Sequence, residues 1–100
     1  IELAQASGLV LLNKNQRNCN FTSTYGTGIQ IYHAIKKGVK NIYIGLGGSA
    51  TNDGGTGILR ALNFKFLDKN NYLLETNGGN LSEIDICKTL IRRCYFSNFR

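Results

Sequence analysis

Gly45-Leu46-Gly47-Gly48-Ser49-Ala50-Thr51-Asn52-Asp53-Gly54-Gly55-Thr56-Gly57 holds half of the twelve glycines in this 100-residue chain. Each glycine inside a regular element costs about 0.5–1 kcal/mol against alanine, so this density belongs where backbone turns sharply or passes close to another group. Before it, residues 39–46 are rich in β-branched and aromatic side chains, and the run Ile42-Tyr43-Ile44 predicts a strand covered on both faces. After it, Ile58, Leu59 and Leu62 set an apolar stripe at helical spacing, with Asn52 or Asp53 placed to cap the helix and Arg60 on its other side. Strand, loop and helix in that order predict a layer of an α/β fold.

A loop so placed turns backbone N–H groups and the positive end of a helix towards the crevice at the strand's carboxyl end, where phosphates and carboxylates bind. Ser49 and Thr51 add hydroxyls, Asn52 an amide and Asp53 a carboxylate. For that carboxylate three roles are open: holding magnesium, acting as a base towards a hydroxyl, or capping the helix. The loop is not a Walker A motif, because no lysine follows its second glycine and the next basic residue is Arg60. Gly45-x-Gly47-x-x-Ala50 fits a dinucleotide fingerprint, with Asp68 at about the distance of a ribose-binding acid. That fingerprint requires a helix running through Asn52-Asp53-Gly54-Gly55, disfavoured by about 3 kcal/mol, so a helix starting after the loop fits better.

Working outward, Ile31, Ala34, Ile35 and Gly38 recur at helical spacing from about Gly26, with Thr24 or Thr27 as cap and Lys36-Lys37 before a terminal glycine. Thr22, Ser23, Thr24, Tyr25 and Thr27 can cap this helix or bind an anion at its start. His33 stands apart from any Cys, Asp or Glu constellation and is assigned no role. Residues 1–12 predict a strand end running into a short helix, and residues 13–24 a surface loop. Residues 64–68 and 72–75 flank Lys69-Asn70-Asn71 and predict a β-hairpin.

A chain of this length makes one domain or part of one. It starts at Ile1 and contains no methionine, which suggests an internal segment of a longer protein. No apolar run approaches the roughly 20 residues of a membrane span. Cys19, Cys87 and Cys94 lack the spacing of a zinc site or a disulfide framework and predict reduced thiols. The net charge is +6, of which Lys88, Arg92, Arg93 and Arg100 supply +4 within residues 86–100. With Tyr95, Phe96 and Phe99 these arginines offer a basic-aromatic patch for single-stranded nucleic acid, an alternative that is disfavoured against the loop.

GLGGSATNDGGTGILRAL resembles the GIGGSATNDGGAG signature of the glycerate kinases, which phosphorylate D-glycerate with ATP; residues 47–55 match at nine consecutive positions. IELAQASGL is similar to the family's IEMAAASGL, residues 22–28 to its T-[TS]-[SR/Y]-G-T-G segment, and Phe66-Leu67-Asp68 and residues 77–86 to its FLDA and GGG…L…IDI blocks. The resemblance covers nearly all of residues 1–86, a partial α/β domain, and leaves residues 87–100 as a divergent basic tail. It implies a two-domain fold of three-layer α/β type with an added β-hairpin, an active site in the interdomain cleft, a cytoplasmic location, no membrane, and ATP with Mg2+ as cofactors. It also implies that this segment alone is not catalytically competent. Carried onto this chain, it makes Gly47, Gly48, Ser49, Thr51, Asn52, Gly54 and Gly55 the residues binding phosphate or D-glycerate. Asp53 becomes the catalytic group, acting through magnesium or on the hydroxyl, and Ser23, Thr24 and Thr27 a possible second anion site. One departure lies beside that site: where the family has a glutamate, this chain has Ile29.

Overall fold

The computed structural model describes residues 1–89. Its regular elements are helices α1 (Ala4–Ser7), α2 (Tyr25–Lys36) and α3 (Thr56–Ala61) and strands β1 (Phe64–Leu67) and β2 (Ile86–Thr89), with single 3-10 turns at Leu9–Leu11, Lys14–Gln16 and Leu81–Glu83. The mixture of helix and strand fits the α/β class predicted from the sequence. The basic-aromatic patch of residues 92–100 lies outside the described residues.

Helix α2 runs as its spacing predicts. Gly38 closes it at φ +79, its N–H bonding the Ile35 carbonyl, a conformation natural to glycine and costly to other residues. Two glycines let α3 pack on α2 backbone to backbone. A Cβ on Gly28 would stand 2.6 Å from the Ala61 Cβ and 2.7 Å from the Ile58 Cα, and a Cβ on Gly57 would collide with the Ser23 hydroxyl and the Tyr25 amide. Arg60 lies over the Tyr25 ring, 5.3 Å from its centre.

β1 pairs antiparallel with β2 in the register Phe64↔Thr89 to Leu67↔Ile86. The predicted hairpin also forms: Leu67 bridges Leu73, Leu74 donates to Phe66, and Asn71 turns at φ +64. Asp68 binds the turn, its Oδ1 accepting from the Asn70 and Tyr72 amides at 2.8 and 2.9 Å, which is a local role rather than a ribose contact. β2 spans the 86/87 boundary drawn from the sequence.

The strand predicted over residues 39–46 needs correction. Gly45 makes one parallel bridge with Glu2, supported by bonds from Leu3 N–H to Gly45 O and from Gly45 N–H to Ile1 O, and among the described residues no longer ladder develops. Tyr43 is 83% exposed and Leu46 69%, and Ile42 is only half-buried, so the described residues cover neither face fully. A strand persists as a ladder with neighbours along its edges; here the pairing partner is three residues long before the chain turns into α1. Among the described residues the buried apolar set is correspondingly small, namely Leu3, Ile31, Ala61 and Phe66, while Ser7, Thr24, Thr27, Asp53, Thr56 and Thr76 are buried polar groups.

Candidate functional site

Those buried polar groups underlie the glycine-rich loop and explain its shape. The loop leaves the bridge at Gly45, turns at Gly47-Gly48 with Gly48 at φ +71, and is stitched to the N-terminal segment by bonds from Leu9 N–H to Gly48 O and from Ala50 N–H to Ser7 O. The Thr22 hydroxyl donates to the Ala50 carbonyl at 2.7 Å from the other side. Below, the hydroxyls of Ser7 and Thr27 pair at 2.8 Å in the interior.

Outside these anchors the loop is open. Gly47, Gly48, Ser49 and Asn52 are exposed, and the N–H groups of Gly47 and Gly48 engage no described residue. A Cβ on Gly47 would meet nothing within 4 Å, so there is free space on its outer side. Ser49 and Thr51 pair their hydroxyls at 2.8 Å, and the Thr51 amide donates to Ser49 Oγ at 3.1 Å. Beside them lies an open recess of about 240 Å³, lined by Leu11, Leu12, Thr22, Ser23, Ala50 and Thr51 among others. A hydroxylated loop with unpaired amides next to a small recess suits a small anion.

Asp53 is placed differently. It is 1% exposed, and its carboxylate accepts from the Thr24 amide at 2.8 Å, the Thr24 hydroxyl at 2.9 and 3.2 Å, and the Gly55 and Gly57 amides at 3.1 Å each. Its main-chain carbonyl accepts from the Thr56 amide and hydroxyl. Gly54 and Gly55, at φ +62 and +75, take the left-handed conformation that brings α3 under this carboxylate. Asp53 thus caps α3, whose N-cap position, Gly55, has no side chain to do so. Magnesium fits this group poorly, because N–H and O–H donors converge on both oxygens.

The second anion site at the start of α2 is not assembled. Thr27 is fully buried and paired to Ser7, Thr24 is turned onto Asp53, and Ser23 accepts from the Tyr25 amide. The physical reason is that each group already has a partner: α3 approaches closely enough to engage Thr24 through Asp53 and Ile58, α1 supplies Ser7 to Thr27, and Ser23 closes a local turn. The dinucleotide alternative needed a helix beginning near Gly48, whereas α3 begins at Thr56. Thr22, marked in the sequence as a possible cap or anion ligand at the start of α2, instead anchors the loop through the Ala50 carbonyl, whereas Ser7 is a site-building residue that composition did not single out; its only signal was its place in a flanking block that resembles a family segment.

Comparison with known proteins bears on the family and the fold. The model of the glycerate kinase family matches residues 1–93. A glycerate kinase from Halalkalibacterium halodurans is 49% identical over 84 residues, which cover 84% of this chain and 22% of that protein. The glycerate 2-kinase of Escherichia coli K12 is 45% identical over 85 residues, 85% of this chain and 22% of its own length. The crystal structure of a chain assigned as glycerate kinase 2 from Salmonella typhimurium LT2 superposes with a TM-score of 0.83 at 40% identity, covering 87% of this chain and 24% of that one. The chain therefore spans about a fifth of the length of the curated relatives it matches.

Proposed function

The chain belongs to the glycerate kinase family, and from that premise we propose that it forms one wall of the active site of a kinase transferring the ATP γ-phosphoryl group to a hydroxyl of D-glycerate, giving phosphoglycerate. The observation that carries this is the pair of amides at Gly47 and Gly48 that no described residue engages, on a turn anchored from below and open above. They would hold an anionic oxygen of the nucleotide or of the glycerate carboxylate, with the Ser49 and Thr51 hydroxyls beside them and the adjoining recess taking the rest of a small acid. In phosphoryl transfer, positioning and neutralisation of charge carry most of the catalysis, and fixed backbone dipoles supply both. The magnesium that family membership implies would be held by groups other than Asp53, and no step is assigned to it. Among the described residues no helix is long and apolar enough to cross a membrane, and the free thiols of Cys19 and Cys87 suit a reducing compartment such as the cytoplasm.

A full-length protein carrying this segment tests the reading through ADP formation that depends on D-glycerate. The informative variant is Gly47→Ala. Its methyl group enters open space, so the fold should keep its melting temperature, while crowding of an anion held at the neighbouring amides raises KM for ATP or D-glycerate by about tenfold. Unchanged KM values for both substrates would remove the loop from the site.

A further inference from the structure

We propose that Asp53 and Thr24 act as a positioning pair, holding the glycine-rich loop in its anion-binding shape without touching a ligand; this rests on the reading of that loop as the anion site. A carboxylate offers about four lone-pair sites. Here Oδ2 receives the Thr24 amide, the Thr24 hydroxyl and the Gly57 amide, while Oδ1 receives the Gly55 amide and shares the hydroxyl. At 1% exposure, no lone pair is left for a substrate hydroxyl or a cation. The Thr24 hydroxyl is equally committed, because it donates to Asp53 and accepts from the Ile58 amide at 3.1 Å.

The consequence lies in how the loop is held. Thr22 and Thr24 stand two residues apart and grip it at two points: Thr22 through the Ala50 carbonyl, Thr24 through Asp53. Residues 50–53 are thereby fixed at both ends, and the start of α3 is fastened to the start of α2 by the same carboxylate. Amides aimed in advance at a charge need no reorganisation when the ligand arrives, so loosening this grip costs affinity at Gly47 and Gly48 although neither touches Asp53.

The test uses a full-length protein carrying this segment, with amide exchange read by NMR and titrations of ATP, D-glycerate and Mn2+. Thr24→Val removes the hydroxyl and keeps the shape and the backbone amide; Thr24→Ser restores the hydroxyl; Asp53→Asn turns an NH2 group towards donors. Thr24→Val and Asp53→Asn should each speed exchange at Gly55 and Gly57 by about tenfold or more and weaken ATP or D-glycerate binding by about tenfold, and Thr24→Ser should return both towards the parent values. Binding by Thr24→Val equal to the parent, beside loss in Asp53→Asn, would overturn the proposal by giving Asp53 a direct role. So would Mn2+ broadening centred on Asp53 that vanishes in Asp53→Asn. Exchange at Gly55 and Gly57 unaltered in both variants would refute the pair itself. Should the parent bind neither ATP nor D-glycerate, the anion-loop reading falls and the pair's role towards a ligand falls with it, while the exchange data still decide separately whether the clasp exists.

Discussion

Gly28→Ala sets two opposing effects of known size against each other at the junction of α2 and α3. In a helix interior the change should stabilise by about 1 kcal/mol through backbone entropy. The structure opposes it: the new methyl would lie 2.6 Å from the Ala61 Cβ, 2.7 Å from the Ile58 Cα and 2.8 Å from the Ile58 carbonyl oxygen, where ordinary contact begins near 3.4 Å. Two of those three atoms are backbone, so no rotamer change relieves the clash and the helices must separate by about 0.8 Å, the difference between 2.6 and 3.4 Å. Overpacking of this kind costs about 1–3 kcal/mol. With backbone on one side the upper half of that range applies, leaving a net loss of about 1–2 kcal/mol and a melting temperature lower by about 5–15 °C for a domain of this size. Circular-dichroism melts of Gly28→Ala, Ala61→Gly and the double variant measure it. The double variant should be more stable than the sum of the two single effects predicts, by about 0.5 kcal/mol or more, because one of the three contacts has gone. A melting temperature for Gly28→Ala at or above that of the parent would show that propensity outweighs packing and that α2 and α3 are not in the close contact described.

Thr27→Val strands the buried Ser7 hydroxyl and should cost about 1–2 kcal/mol in chemical denaturation, whereas Ser7→Ala combined with Thr27→Val should recover much of the loss; equal instability of single and double variants would mean the pair contributes nothing. Asn63 ends α3 at φ +68, so Asn63→Gly should raise the melting temperature by a few degrees, about 0.5–1 kcal/mol, and a fall would contradict the left-handed assignment. Asp68→Ala removes the acceptor of the Asn70 and Tyr72 amides and should speed exchange at Tyr72 while leaving Gly57 unaffected; a matching change at Gly57 would show that the hairpin and the loop are not independent.

The hairpin around Asn70-Asn71 and the helix ending at Gly38 were legible because their signals are local: residues tolerant of positive φ, a cation-rich last turn and an apolar repeat each act within a few residues. The strand over residues 39–46 was legible as extended chain and not as a ladder, since pairing depends on what lies alongside, and among the described residues only residues 1–3 do. In the candidate site, the sequence marked the loop, its glycines and its hydroxyls. The functional state of Thr24 and Thr27 was beyond it, because hydroxyls at a helix start look the same whether they face solvent or a second helix.

Composition and order alone therefore determined that a glycine-rich turn separates extended chain from a helix and that its residues match one family. The tertiary structure decided which polar groups remain available. Packing α3 on α2 through Gly28 and Gly57 brings two helix starts within hydrogen-bonding distance of one carboxylate. A buried carboxylate must be satisfied by donors. Asp53 is thereby committed to the scaffold, while the amides of Gly47 and Gly48 stay exposed, where the proposed function places the ligand.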